Sequence, residues 1–228
     1  MIAVITRTYN RPKYFERCLA SITSQVYSGS IYHVVIDNNP PEKSYVQSEI
    51  RGNYTRRVIS VPRVEKGERT LEYSGKHLYH APWNVNMNVA LYDIEHQIEI
   101  GNLPEHTIIL MMDDDDCYLR NDAFRVISEA AIMVKPPFML FWRVKFATQI
   151  VPCDSNFGNA PVLCDISTLG FAHTPDLIKY SKWDNFSCGD FRTANEMYPH
   201  AKHIYINSIL TGLQRSNNNG LGKGDDLC

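Results

Sequence analysis

The sequence predicts an α/β domain built on a mostly parallel sheet. Residues 1–6 form a short apolar stretch rich in Val and Ile, residues 14–25 carry apolar side chains at helical spacing, and residues 31–36 form a second apolar stretch. A strand, a helix and a strand of these lengths make a βαβ unit, whose two strands run parallel. Residues 107–112 form the most hydrophobic strand of the chain, and they lead directly into four consecutive aspartates. The sequence therefore predicts a buried sheet with a polar edge.

The other elements follow along the chain. Further helices are predicted over residues 44–52, 84–101 and 122–133, and a last one begins after Gly189. Further strands are predicted at residues 57–61, 138–150 and 203–206. No helix or strand is predicted in the polar residues 65–79, and residues 152–174 are rich in loops.

Composition excludes several classes of function. The chain of 228 residues has 44% apolar and 21% charged residues, which is typical of a globular protein. Its net charge of −2 gives no basic field, so no nucleic-acid partner is expected. No stretch of about 18 apolar residues is present, so no membrane span is expected. The first residues lack the pattern of a secretory signal, and the six cysteines form no CxxC pair. We therefore expect a cytoplasmic protein with free thiols.

The acidic cluster, Asp113 to Asp116, is the strongest chemical signal. Open α/β sheets bind ligands at the carboxyl ends of their strands, where this cluster falls. Adjacent carboxylates repel each other, and a divalent cation removes that cost. Mn²⁺ and Mg²⁺ prefer oxygen ligands, commonly one or two carboxylates together with substrate phosphates. In extended chain Asp113 and Asp115 point to the same side. A solvated acidic turn remains the alternative, whereas a calcium loop would need a glycine and a distal glutamate that are missing at the required spacing.

Three motifs in this order resemble those of the inverting GT-A glycosyltransferases of family 2. Thr8-Tyr9-Asn10-Arg11-Pro12 follows the first strand, Asp37-Asn38-Asn39 follows the second, and the acidic cluster is similar to the family's L-D-x-D-D motif. Arg7 stands where many members have proline. Asn159-Ala160-Pro161 and Cys188-Gly189-Asp190-Phe191-Arg192 resemble the spore-coat polysaccharide transferase type. The size and the linker-like end also resemble the first domain of glycosyltransferases from large DNA viruses.

The resemblance implies a GT-A fold, with a Rossmann-like central, mostly parallel sheet flanked by helices and a smaller mixed sheet on the acceptor side. It implies one domain over residues 1–215, with a nucleotide-sugar half (1–117) and an acceptor half that carries the catalytic base (118–215). Residues 216–228, rich in Asn and Gly, are expected to form a flexible tail or linker.

The resemblance also assigns the nucleotide site. Asp37 would accept a hydrogen bond from the base, usually uracil, and Thr8 and Tyr9 would form the wall of the base pocket. From the residues alone, Asp37 fits equally an Asx-turn before Pro40, and Thr8 and Tyr9 fit turn and core packing. Arg69 would bind the pyrophosphate, because a guanidinium suits a phosphate in a bidentate contact; a solvated surface arginine is the equal alternative.

Within the acidic cluster, the resemblance places Asp113 beside the ribose and Asp115 on the cation, Mn²⁺ or Mg²⁺. Asp113 is the expected second ligand, and Asp114 an additional contact to the nucleotide sugar. Because the four aspartates are consecutive, the register is uncertain by one, and Asp114 or Asp116 could take either role.

The predicted catalytic base is Asp190, which would take the proton of the acceptor hydroxyl. Asp184 is the second choice, and an N-cap of the last helix is the structural alternative for Asp190. His173 and His203 are left out of the metal site, because a lone histidine is more often structural.

These residues predict an inverting, metal-dependent transfer from a nucleoside diphosphate sugar, expected to be a UDP-sugar, to a hydroxyl of a saccharide or glycan. A non-catalytic nucleotide-sugar binding module remains an alternative, as does a nucleotidyltransferase. The latter would need a glycine-rich loop after the first strand, and residues 6–12 contain no glycine. A haloacid-dehalogenase-type phosphohydrolase would carry its aspartate motif near the N-terminus.

Overall fold

A computed structural model describes residues 1–73, 75–146, 149–163 and 165–213. Within these ranges the chain is an α/β protein with a ten-stranded sheet flanked by helices, and a separate two-stranded antiparallel sheet. The predicted fold class is therefore confirmed. The predicted tail, residues 216–228, lies outside the described residues.

The strands and helices are bounded as follows. The strands are β1 (Ile2–Thr8), β2 (Ile31–Asp37), β3 (Glu49–Arg51), β4 (Tyr54–Ser60), β5 (Thr70–Tyr73), β6 (Lys76–Tyr79), β7 (Ile108–Met111), β8 (Asp116–Tyr118), β9 (Phe138–Lys145), β10 (Ile150–Val151), β11 (Phe171–His173) and β12 (Lys202–Leu213). The α-helices are α1 (Pro12–Thr23), α2 (Asn86–Glu99), α3 (Ala123–Ile132) and α4 (Gly189–Met197).

The large sheet has the order β3-β4-β2-β1-β7-β11-β9-β12-β8, and β10 pairs with β9. The block β4-β2-β1-β7 is parallel throughout, as the βαβ pattern predicts. β11 is antiparallel to both of its neighbours, β12 is parallel to β9, and β8 is antiparallel to β12. The second half of the chain thus extends the sheet begun by the first half.

Successive side chains of the central strands point to opposite faces of the sheet, and both faces are buried. In β1, Ile2 and Val4 pack on one side with Cys18 and Ile22 of α1, and α3 contributes to the same core. Neighbouring residues of β1 pack on the other side against α2 and α4. Because successive side chains of a strand point to opposite faces, a parallel strand covered on both sides must be apolar throughout.

Several segments differ from the sequence prediction, which did not include the short strands β8 and β11. The helix predicted over residues 44–52 is wrong: a short 3₁₀ turn at Pro41–Lys43 is followed by β3, which forms a hairpin with β4. Gly52, with φ of +58°, makes that hairpin turn possible. The polar residues 65–79, in which no element was predicted, contain the β5–β6 hairpin.

No helix in the part of the chain that the structure describes is long and apolar enough to cross a membrane.

Candidate functional site

The carboxyl ends of β1, β2 and β7 meet at one edge of the sheet. β1 ends at Thr8, which pairs in register with Asp37 at the end of β2. β7 lies on the other side of β1 and leads into the acidic cluster. The parallel register therefore brings the three sequence motifs together, as expected for a ligand site of an open α/β sheet.

Two cavities adjoin at this edge. The first is lined by residues that include Thr8, Tyr9, Arg11, Asn38 and Arg63. The second is lined by residues that include Ser167, Thr168, Trp183, Ser187 and Asp190. Both are lined by Arg7, Trp83, Asp113 and Asp115. Two aspartates of the acidic cluster therefore stand at the boundary between the cavities.

Arg7 holds Asp113 at that boundary. Its Nε and Nη2 donate to Asp113 Oδ1 at 3.0 and 2.7 Å, and Nη2 also donates to Oδ2 at 3.0 Å. Its Nη1 donates to Asn84 Oδ1 at 2.8 Å and to the carbonyl of Trp83 at 3.4 Å. The side chain of Asp113 keeps 29% of its surface exposed, so the carboxylate faces the cavities while the guanidinium lies behind it.

Arg11 and Thr8 hold the next two aspartates. Arg11 forms ion pairs with Asp114 at 2.5 Å and with Asp115 at 2.7 Å. Thr8 Oγ1 donates to Asp114 Oδ2 at 2.7 Å, and the Tyr45 hydroxyl lies 2.6 Å from Thr8 Oγ1. Asp114 is fully buried, so it anchors the loop beneath the cavities.

Burial and neighbouring charges shift the ionisation of this cluster. Burial raises the pKa of Asp114 to about 7, although Arg11 and the Thr8 hydroxyl act in the opposite direction. Burial alone would lower the pKa of Arg11, but Asp114, Asp115 and their neighbours outweigh it and raise that pKa. The guanidinium therefore stays charged and offsets the carboxylates that surround it.

The first cavity has an aromatic and cationic wall. The guanidinium of Arg63 stacks over the ring of Tyr9, 3.7 Å from its centroid, and Asn38 lies at the same cavity. Arg69, the predicted phosphate ligand, is exposed, and the described residues that line the two cavities do not include it. Between β4 and β5, the arginine that lines the first cavity is therefore Arg63 and not Arg69.

Asp37 lies beneath the first cavity with only 1% of its surface exposed. Its Oδ1 accepts hydrogen bonds from the backbone and side-chain nitrogens of Asn39 at 2.9 and 2.6 Å, and its Oδ2 accepts one from Ser44 at 2.5 Å. This is the Asx-turn arrangement, which directs the carboxylate toward its own loop and leaves Asn38 at the cavity.

Asp190 lies in the second cavity, one residue inside the N-terminus of α4. Its Oδ1 accepts a hydrogen bond from the backbone nitrogen of Phe191 at 2.8 Å. Burial raises the pKa of Asp190, and nearby Asp113 adds to this, while backbone hydrogen bonds from Phe191 and Thr168 oppose it. A carboxylate with a raised pKa is a stronger base for a bound hydroxyl.

Asp184, the second choice for the base, is turned away from this cavity. Its side chain is 46% exposed, and its Oδ1 forms an ion pair with Arg192 at 2.5 Å. The same oxygen accepts a hydrogen bond from the backbone nitrogen of Phe186 at 2.9 Å. Asp184 therefore fastens the loop that precedes α4.

Solved structures show which known proteins share this architecture. The chain aligns with S. aureus TarS residues 1–349 in complex with UDP-GlcNAc at a TM-score of 0.61 and 17% identity, covering 97% of this chain and 60% of that one. The mannosyltransferase PcManGT from Pyrobaculum calidifontis, in complex with GDP-Man and Mn²⁺, aligns at a TM-score of 0.58 and 14% identity, covering 96% of this chain and 58% of that one. The chain has the GT-A fold. It spans about three fifths of the length of these two structures.

Sequence comparisons add nothing to this likeness: no family model and no curated protein matches the chain. Identities of this size show the fold alone, so the chemistry of this GT-A domain must be argued from its own residues.

The carboxylates of this GT-A domain are suited to a hard divalent cation. Asp113 and Asp115 present oxygen ligands at the boundary of both cavities. Among the described residues, no group of three or more His, Cys, Asp or Glu side chains could hold a metal ion without other ligands. Mg²⁺ and Mn²⁺ are commonly bound by one or two carboxylates together with substrate phosphates, which fits this pair.

The two histidines left out of the metal site have structural partners. His173 is fully buried, its Nδ1 lies 2.9 Å from the carbonyl of Thr174, and burial lowers its pKa to about 4. His203 stacks on Tyr198 with ring centroids 3.6 Å apart. Trp142 and Trp183 are both buried in the core, and Trp183 also lines the second cavity. Trp83 lines both cavities.

Sequence reasoning missed the four side chains that support the acidic cluster and the cavity wall, namely Arg7, Arg11, Arg63 and Asn84. Two signals were present: Arg7 departs from the proline of the family motif, and Arg11 lies within the motif Thr8 to Pro12.

Proposed function

We propose that the chain is an inverting glycosyltransferase that moves a sugar from a nucleoside diphosphate sugar, preferably a UDP-sugar, to a hydroxyl of a saccharide or glycan. The observation that carries the proposal is the pair of adjoining cavities with Asp113 and Asp115 at their boundary and Asp190 in the second. A donor in the first cavity would place its diphosphate at the boundary. Its sugar would then face the second cavity, where the acceptor binds.

In the first cavity, Tyr9 and Arg63 offer a stacking surface for a nucleobase. Thr8 belongs to the wall but acts through Asp114, because its hydroxyl hydrogen is donated to that carboxylate. Asp37 shapes the loop that presents Asn38 to the cavity. Asp37 as the direct partner of the base and Arg69 as a phosphate ligand remain predictions from the family resemblance.

In the second cavity, Asp190 would act on the acceptor. Its carboxylate takes the proton of the acceptor hydroxyl as that oxygen bonds to the anomeric carbon, and the bond from that carbon to the diphosphate oxygen breaks. Attack comes from the face opposite the leaving group, so the configuration inverts. Asp115, with Asp113 beside it, would hold Mn²⁺ or Mg²⁺. Bound there, a divalent cation would supply positive charge to the departing diphosphate.

Release of nucleoside diphosphate tests this proposal. A panel of UDP- and GDP-sugars is incubated with the protein, with Mn²⁺ or with EDTA, and with or without saccharide acceptors. We expect cleavage of at least one donor that depends on Mn²⁺ and is stimulated by an acceptor. Donor binding without any cleavage would indicate a non-catalytic binding module instead.

Asp190→Asn identifies the base. The amide cannot accept the proton, so we expect transfer to fall by about 10²-fold or more while the donor still binds. Asp184→Asn is the matched control, because Asp184 lies in the same loop region but is turned away from the cavity. Loss of transfer in Asp184→Asn, with Asp190→Asn still active, would contradict the assignment.

A further inference from the structure

Arg7 uses its whole donor set within the protein. A guanidinium has five N–H donors, and those of Arg7 are directed to the carboxylate of Asp113, the side-chain oxygen of Asn84 and the carbonyl of Trp83. Arg7 is also mostly buried, with 11% of its side chain exposed. It lines both cavities, yet it has no donor left over for a ligand phosphate.

Asn84 fixes the guanidinium from behind. Its Oδ1 accepts from Arg7 Nη1 at 2.8 Å, and its Nδ2 donates to the carbonyl of Phe186 at 2.6 Å. Asn84 is itself buried. Since both ends of this amide are engaged, swinging Arg7 away from Asp113 would leave buried polar groups without partners, which is costly.

Both oxygens of Asp113 take part in this contact, although 29% of its side chain stays exposed. Both of its oxygens accept from Arg7, through three donor–acceptor contacts of 3.0 Å or less. A planar guanidinium matches a carboxylate in this bidentate way better than any other side chain. A divalent cation at the same oxygens would compete for their lone pairs and would be repelled by the positive charge of Arg7.

We propose that Arg7 is a positioning residue that occupies the place of a cation on Asp113 and so withholds that carboxylate from the metal. The inference rests on the proposed cation site and narrows it: Asp113 becomes a fixed wall of the cavities, and the cation is left to Asp115, which lines both cavities and which Arg11 contacts at Oδ2, together with the donor phosphates. Arg7 thereby limits how tightly the cation binds before the donor arrives.

Mn²⁺ affinity of the donor-free full chain tests this, measured by the loss of the free-ion signal in electron paramagnetic resonance. We expect Arg7→Met to bind Mn²⁺ at least about tenfold more tightly than the wild type, because Asp113 becomes available. The gain should disappear in the double variant Arg7→Met/Asp113→Asn. Arg63→Met is the matched control, since it removes the same charge from the first cavity, where Arg63 stacks on Tyr9 instead of pairing with Asp113.

Arg7→Lys keeps the result decisive if Arg7→Met does not fold. Lysine keeps the charge but cannot donate in parallel to both oxygens of Asp113, so we expect a gain of at least about threefold. No gain in either variant would overturn the inference. So would an equal gain in Arg63→Met, or one that survives Asp113→Asn, because both would reflect general charge removal.

These outcomes are separate from the test of the proposed function. Absence of Mn²⁺ binding in every variant overturns the inference about Arg7, whereas donor binding and cleavage are measured independently. Conversely, the expected affinity changes without any cleavage of nucleotide sugars would leave Arg7 as assigned and reject the transferase.

Discussion

Thr8→Val tests the support beneath the acidic cluster. Thr8 is 1% exposed, and its hydroxyl donates to the buried carboxylate of Asp114 at 2.7 Å. Valine has nearly the same shape but leaves an oxygen of Asp114 without this donor. A hydrogen bond to a charged group contributes about 1.5–3 kcal/mol, and the hydroxyl of Tyr45 also loses its neighbour. We therefore expect a loss of about 2–3 kcal/mol in the free energy of unfolding.

At about 2–4 °C per kcal/mol for a chain of this size, this loss corresponds to a fall in Tm of about 4–12 °C. The assay is thermal unfolding by circular dichroism at pH 8, where a carboxyl group with a pKa of about 7 is mostly ionised. Thr23→Val is the matched control. Thr23 is exposed and donates only to carbonyls of its own helix, so its loss should cost less than about 0.5 kcal/mol. Equal Tm values for the two variants would refute the role given to Thr8.

Three further predictions concern the metal, pH and the base-bearing helix. Asp115→Ala should weaken Mn²⁺-dependent donor binding at least about tenfold, or 1.4 kcal/mol; full activity in EDTA would contradict it. Burial lowers the pKa of His33 to about 3, so the unfolded chain takes up a proton below pH 6.5 that the folded chain does not. His33 by itself should therefore lower the free energy of unfolding by about 2 kcal/mol at pH 5 relative to neutral pH. In denaturant titrations, the free energy of unfolding of His33→Asn should change on acidification by this amount less than that of the wild type. In Gly189→Ala the new Cβ would lie 2.8 Å from the Trp183 ring and 3.0 Å from Asn84 Nδ2, so overpacking should cost about 1–3 kcal/mol; an unchanged Tm would show that the contact relaxes freely.

The central architecture could be predicted because apolar patterning and parallel pairing determine it together. The first strands are apolar on both faces, the intervening helix is amphipathic, and a right-handed βαβ connection leaves few arrangements. The same reasoning places Thr8, Asp37 and the acidic cluster at one edge, which the register of β1 with its neighbours confirms. Asp113 and Asp115 both line the cavities, but the alternation of extended chain is not the reason. The backbone nitrogen of Asp116 donates to the carbonyl of Asp113 at 3.1 Å, so these residues form a turn.

What could not be predicted depends on contacts between distant segments. β3 over Glu49–Arg51 is a strand because it pairs with β4, and a three-residue strand has too few positions to show a period of two. The contacts of Arg7 to Asp113 and Asn84 join residues more than 70 positions apart, so no local pattern reveals them. Near Asp37, the sequence indicated the Asx-turn bond from Asn39 as an alternative, but it did not indicate the hydrogen bond from Ser44.

The arginines also change the view of the acidic cluster. Four adjacent carboxylates suggest a site that requires a cation to relieve repulsion, but Arg7 and Arg11 already provide two positive charges in direct contact. The cluster can therefore fold before metal arrives, and a cation would bind it together with the donor phosphates. The cytoplasmic location and the spore-coat type of chemistry remain predictions.

The central claim is that the two cavities form a site for a nucleoside diphosphate sugar. Thermal unfolding with such sugars tests it most directly. The protein is heated with UDP- and GDP-sugars, with Mn²⁺ or with EDTA, and with Mn²⁺ alone as the reference. A ligand at about 100 times its Kd stabilises the folded state by about 2.7 kcal/mol, which corresponds to a rise in Tm of roughly 5–11 °C. We expect such a rise for at least one donor, larger with Mn²⁺ than with EDTA. If no nucleoside diphosphate sugar raises the Tm above that with Mn²⁺ alone, the cavities do not form a donor site and the account is contradicted.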